Sequence, residues 1–123
     1  VFYESGLFGI VPMDYFFPGK ANHGDNPPRK SFADKWNDRI LATMPDLELI
    51  IIVGNYAMKY YLGKEMERNL TETVRNYKQY LPAYFPLVHP SPLNIGWRRR
   101  NPWFEEDVVP DLKSRVQKIL KNN

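Results

Sequence analysis

The run Leu49-Ile50-Ile51-Ile52-Val53 constrains the fold more than any other stretch of the chain. It is apolar throughout, β-branched from Ile50 to Val53, and bounded by Pro45-Asp46 on one side and Gly54 on the other. A strand with one wet face alternates apolar and polar side chains. A continuous run instead suits a strand covered on both faces, as in a parallel sheet between helices. The pattern predicts a strand over 47–53. It also predicts a helix from Asn55 to Leu62, with Gly63 as its C-terminal stop.

The neighbouring segments fit the same scheme. Leu7 to Met13, with apolar Leu7, Phe8, Ile10 and Val11, predicts a short buried strand. Pro18-Gly19 and the stretch from Gly24 to Pro28 mark a long polar loop, in which His23 is expected to be exposed. Ser31 to Met44 predicts a helix. Its apolar line is Phe32, Trp36 and Ile40, with Ala33, Leu41 and Met44 beside it, and Pro45 ends it.

Asn69 with Glu72 has the spacing of a helix N-cap, for a helix reaching about Tyr80. Tyr84 to Val88 predicts a third strand, and Pro86 assigns it to an edge because proline cannot donate to a ladder. Asn101-Pro102 predicts the start of a last helix, and Glu105-Glu106-Asp107 suits the N-terminal end of its dipole. Pro110 breaks or restarts that helix, and Leu112, Val116, Ile119 and Leu120 give it an apolar face.

Strands joined by helical crossovers imply a parallel sheet. The expected fold is α/β, a three-layer α/β/α arrangement with a short, mostly parallel sheet. The 123 residues are expected to form a single domain over 1–123. In such sheets ligands bind outside the carboxyl ends of the strands. Three segments fall there: 13–20, 54–56 and 89–100.

Composition narrows the chemistry. The chain has no cysteine, which excludes disulfides and thiolate-bound metal or iron–sulfur centres within it. No metal and no cofactor are expected, and a reducing, cytoplasmic setting fits. No apolar run is long enough to span a bilayer, so no membrane partner is expected. The formal net charge of +3 permits a nucleic-acid partner without requiring one. The densest basic run is Arg98-Arg99-Arg100, between Trp97 and Trp103. The opening Val1-Phe2-Tyr3-Glu4 lacks the layout of a signal peptide and reads as mid-domain sequence, so an N-terminally truncated chain is expected.

At the end of the third strand the chain reads Leu87-Val88-His89-Pro90-Ser91-Pro92-Leu93-Asn94. This resembles the C-terminal signature of the uracil-DNA glycosylase superfamily, in which a strand delivers His-Pro-Ser-Pro-Leu to DNA. Ile50 to Ala57 is similar to the strand-Gly-helix unit of the same superfamily. Pro18-Gly19 is similar to the Pro-Gly loop of its iron–sulfur branch. The order of elements agrees over essentially the whole chain, but only the His-Pro-Ser-Pro-Leu segment is specific.

The resemblance implies DNA as partner and base excision as activity. The target nucleotide must leave the stack before its glycosidic bond can break. His89 would then be the catalytic residue, donating a hydrogen bond to the departing base. A preorganised donor of this kind contributes about 2.7–4 kcal/mol in oxyanion sites. Pro90 and Pro92 would stiffen the loop. Ser91 would meet a phosphate. Leu93 would fill the space left by the flipped nucleotide. Asn94, Arg98, Arg99 and Arg100 would complete the DNA-binding surface. Asp14, Phe16, Phe17 and Asn55 are candidates for the base pocket.

Plainer readings stand beside these. Leu93 could be core, the arginines a solvated face, and Phe16-Phe17 loop anchors. Asp14 suits a turn or cap, and Trp97 and Trp103 suit packing.

The chain also departs from the superfamily pattern. No Gly-Gln-Asp-Pro-Tyr-like or Gly-Glu-Ala-Pro-Gly-like segment is present to position the attacking water. The first central strand that carries it is therefore expected to lie upstream of Val1. This chain alone is expected to be inactive, and oligomerisation through the exposed sheet edge is open to it. The segment Gly9-Ile10-Val11-Pro12-Met13 lacks the asparagine that often reads a pyrimidine edge, and the cysteines of the iron–sulfur branch are absent.

Two function classes follow. One is a DNA glycosylase acting on uracil or another damaged base. The other is a DNA-binding module of the same fold without the chemistry. A third possibility, an unrelated nucleotide-binding α/β protein, would call for a Gly-rich phosphate loop, which the sequence does not show.

Overall fold

In the computed structural model, which describes residues 6–13, 19–23 and 26–122, the β-branched run forms strand β1 (Ile50–Val53). It pairs in parallel with β2 (Tyr84–Leu87) in the register Ile50↔Tyr84 to Val53↔Leu87. Backbone bonds extend the ladder at both ends: Ile50 N donates to Ala83 O at 2.9 Å and Gly54 N to Leu87 O at 3.0 Å. The chain divides into two compact units, Val1–Leu47 and Glu48–Asn123.

The second unit is helix-rich around this short parallel sheet, an α/β arrangement as expected. Helix α2 (Asn55–Leu62) follows β1 and buries Ala57, Met58 and Leu62. It stops at Gly63, whose φ of 53° favours glycine. Helix α3 (Leu70–Arg75) is capped by Asn69, whose Oδ1 accepts from Glu72 N at 2.9 Å. Loss of such a cap costs about 1 kcal/mol. The helical stretch expected to reach Tyr80 changes character after Asn76 and continues as a 3₁₀ turn over Tyr77–Tyr80.

The core of this unit centres on Phe85, Ile52, Met58, Val74 and Val108, all essentially inaccessible. Tyr77 lies against Phe85 with ring centroids 4.7 Å apart. Truncating a phenylalanine so placed costs about 3–5 kcal/mol. Pro86 is buried and pairs with Ile52 on a two-stranded sheet, which accommodates its missing donor. The continuous apolar run over β1 predicts cover on both faces, but the structure differs: Ile52 is 1% exposed, whereas Ile51 and Val53 are 39% and 38% exposed.

After β2 comes an element that the sequence pattern does not announce, helix α4 (Ile95–Arg100). At six residues it is too short for an apolar period to register. Asn101, read as a cap for the last helix, instead closes α4: its Nδ2 donates to Trp97 O at 2.8 Å. A π turn over Phe104–Val108 then leads into α5 (Val109–Lys121), with Pro110 in its first turn, so the proline restarts the helix.

In the first unit, helix α1 (Lys30–Ala42) ends near the expected place, with Thr43 as C-cap. Its buried line differs from the one expected. Ala33 and Asn37 are buried, and Trp36 is 39% exposed. Asn37 Nδ2 donates to Pro12 O at 3.2 Å, which holds the preceding segment to the helix. The strand expected over 7–13 does not form. Residues 7–13 are irregular, and Leu7 and Ile10 are 47% and 64% exposed. An apolar run becomes a strand only where its backbone joins a sheet ladder, and the described ladder holds β1 and β2. Pro18 and Gly24 lie outside the described residues, while His23 is exposed as expected.

Candidate functional site

Parallel strands end together, and here the end of the sheet brings two backbone features side by side. Gly54 leaves β1 at φ 86°, ψ 169°, a conformation essentially restricted to glycine. A Cβ placed on it would lie 4.0 Å from the Cβ of His89. The turn into α2 and the start of the His89 loop are therefore neighbours. Asn55, the first residue of α2, is half-buried beside them in sequence.

The loop is built by short-range polar bonds. Val88 is buried, and the chain emerges at His89 and Pro90, both exposed. Ser91 N donates to His89 O at 2.8 Å, which folds the chain back around Pro90. Ser91 then caps a 3₁₀ turn over Pro92–Asn94, its Oγ accepting from Leu93 N at 3.2 Å. Asn94 N donates to Ser91 O at 2.9 Å, and Asn94 Nδ2 donates to His89 O at 2.7 Å. The two ends of the loop are thus tied to each other through their own residues.

This scaffold pushes one side chain outward. Leu93 is 90% exposed, and Ile95 beside it is 47% exposed. An exposed leucine is ordinary in isolation. One held at the tip of a proline-stiffened, hydrogen-bonded turn is preorganised for contact. The core reading of Leu93 is therefore excluded.

Helix α4 carries the arginines. It is anchored by Trp97, whose Nε1 donates to Thr71 Oγ1 on α3 at 2.8 Å. Trp97, Trp103 and Phe104 meet edge to face at centroid distances of 5.3–6.5 Å, and Arg75 lies over the Trp103 ring at 5.6 Å. The two tryptophans are packing residues, as their plainer reading has it. Arg98 Nε donates to Glu105 Oε1 at 2.6 Å. Arg99 and Arg100 are exposed and make no ion pair among the described residues.

The structure thus brings together His89, Pro90, Ser91, Pro92, Leu93 and Asn94 in one turn, with Gly54 and Asn55 beside its start and Arg98, Arg99 and Arg100 on the helix that follows it. Asp14, Phe16 and Phe17 lie outside the described residues. By sequence the segment 54–56 falls at the ligand end of the sheet, but neither Gly54 nor Thr71 is among the candidate site residues. The signal for Gly54 was available: a glycine between a strand and a helix start often carries a special backbone conformation. Nothing local points to Thr71, since its partner lies 26 residues away.

Among the described residues no helix is long and apolar enough to cross a membrane, and no three His, Asp or Glu side chains converge as a metal-binding group. The sequence model of the uracil DNA glycosylase superfamily matches residues 3–113, a span that includes the parallel strand pair, the Gly54 turn, the His89 loop and helix α4. With that match over nearly the whole chain, and its signature loop at the carboxyl end of the sheet, the chain belongs to the uracil DNA glycosylase superfamily.

Proposed function

We propose that the chain docks on duplex DNA through the loop from His89 to Asn94 and serves base excision of uracil or another damaged base. The observation that carries this reading is the exposed Leu93 on a turn cross-linked by Ser91 and Asn94.

In this reading Leu93 enters the space left by the flipped nucleotide. The Ser91 side chain and the loop backbone meet a phosphate, and Arg99 and Arg100 meet the backbone further along. The bond from the sugar C1′ to the base nitrogen breaks, its electron pair leaves with the base, water adds to C1′, and the proton that the water gives up is balanced by protonation of the departed base. The His89 imidazole donates a hydrogen bond to the base oxygen where that charge collects, which lowers the barrier by about 2.7–4 kcal/mol. Asn55, with Asp14, Phe16 and Phe17, is assigned to the base pocket on the resemblance alone.

The second reading, a binding module without chemistry, draws on the absence of asparagine from Gly9 to Met13. The test is base release from uracil- and hypoxanthine-containing duplexes by the protein that carries this chain. His89→Ala is expected to lower the rate by about a hundredfold. An unchanged rate would overturn the role of His89. Tight duplex binding with no base released from either lesion would select the binding module.

A further inference from the structure

Helix α1 presents a row of cations and aromatic rings that the His89 loop does not account for. Phe32, Lys35, Trp36 and Arg39 stand at i, i+3, i+4 and i+7, and so share one face. Arg29 precedes them by one further step. The Lys35 ammonium lies 5.3 Å and the Arg39 guanidinium 5.8 Å from the Trp36 ring centroid. The Arg29 guanidinium lies 4.6 Å from the ring of Phe32. Of the acids of the helix, Asp34 falls on a different face, while Asp38, three residues after Lys35, borders this one. Trp36 is 39% exposed, although a tryptophan of a helix ordinarily supplies much of its buried area.

We propose that this face of α1 is a nucleic-acid contact of its own, binding the backbone and an unpaired base of a single DNA strand. Along this face Arg29, Lys35 and Arg39 outnumber Asp38, and the excess of positive charge suits a polyanion. Lys35 and Arg39 each lie within cation–π range of the indole, so a phosphate drawn to either arrives beside a plane on which its base can stack. An acidic peptide would satisfy the cations, but it offers Trp36 no flat partner. The inference rests on α1 alone and stands independently of the role of His89.

The test is binding of the protein to fluorescein-labelled oligothymidylate, followed by anisotropy over a salt series. Trp36→Ala is expected to weaken binding by about tenfold, and Trp36→Phe, which keeps a stacking plane, by much less. Lys35→Gln with Arg39→Gln should flatten the salt dependence by about 0.7 for each phosphate that is no longer neutralised. All three side chains are exposed, and circular dichroism checks that α1 is retained. If Trp36→Ala disturbs the helix, the charge variant carries the test. Wild-type affinity in both the Trp36→Ala and the Lys35/Arg39 variants overturns the proposal. So does polyglutamate binding at the same face with no oligothymidylate binding. The α1 variants are scored on single strands and the loop variants on duplex, so either reading can fail without the other.

Discussion

The Asn94 side-chain amide donates to the backbone carbonyl of His89 at 2.7 Å, and this bond closes the loop on itself. A residue that resembles a DNA contact in sequence is therefore, in the fold, a brace for the neighbouring histidine. Asn94→Ala is expected to lower duplex affinity by up to about tenfold, the worth of one hydrogen bond. Asn94→Asp should lower it further, because an acceptor would then face an acceptor. Anisotropy titration of a lesion duplex checks both, and full affinity in the alanine variant would count against the brace.

Gly54 carries its constraint in the backbone rather than in space. The nearest atom to an added Cβ is His89 Cβ at 4.0 Å, an ordinary contact, but φ 86° with ψ 169° is strained for any L side chain. Gly54→Ala is expected to cost about 1–3 kcal/mol of stability. Urea denaturation measures this, and a neutral substitution would show that the turn relaxes at no cost.

The three arginines of α4 are not equivalent. Arg98 is committed to Glu105, whereas Arg99 and Arg100 make no ion pair among the described residues. Arg99→Ala and Arg100→Ala should each reduce the slope of log K against log salt on duplex DNA by about 0.9, since each variant neutralises one phosphate fewer. Arg98→Ala should change it less. Equal slopes for all three variants would argue against the distinction.

Tyr77 provides a pH-dependent element away from the loop. Its hydroxyl is pushed up from 10.0 to about 12, first by burial and then by donating to Asp111 Oδ2 at 2.6 Å. Asp111 is also held by Arg115 Nε at 3.0 Å. The folded state therefore favours the protonated phenol. This contribution is fully present below about pH 10 and is lost as pH rises from about 10 to about 12. The melting temperature should fall across that window, and Tyr77→Phe should remove this part of the fall. Identical pH profiles for the two proteins would contradict the coupling.

Much of this protein was legible in its sequence where the deciding partners lie within a few residues. The β-branched run became β1, Gly63 stopped α2, and Asn69 capped α3 through Glu72. The His-Pro-Ser-Pro-Leu-Asn segment, with its own prolines and its Ser91 cap, folds into a turn through bonds between near neighbours. These outcomes depend on local φ preferences and on side chains that bond to nearby backbone.

Tertiary structure decided what depends on distant residues. Residues 7–13 are as apolar as a strand requires, yet they are irregular and the described sheet holds β1 and β2. The period of α1 marks Trp36 as readily as Ala33 for burial, and the contact of Asn37 with Pro12 accompanies the inward rotation of the other face. Helix α4 is too short to be seen as a pattern, and its anchor, Trp97 to Thr71, joins residues 26 apart. A sequence states what each segment prefers. Which preference prevails is set by the neighbours that burial and backbone hydrogen bonding bring to it.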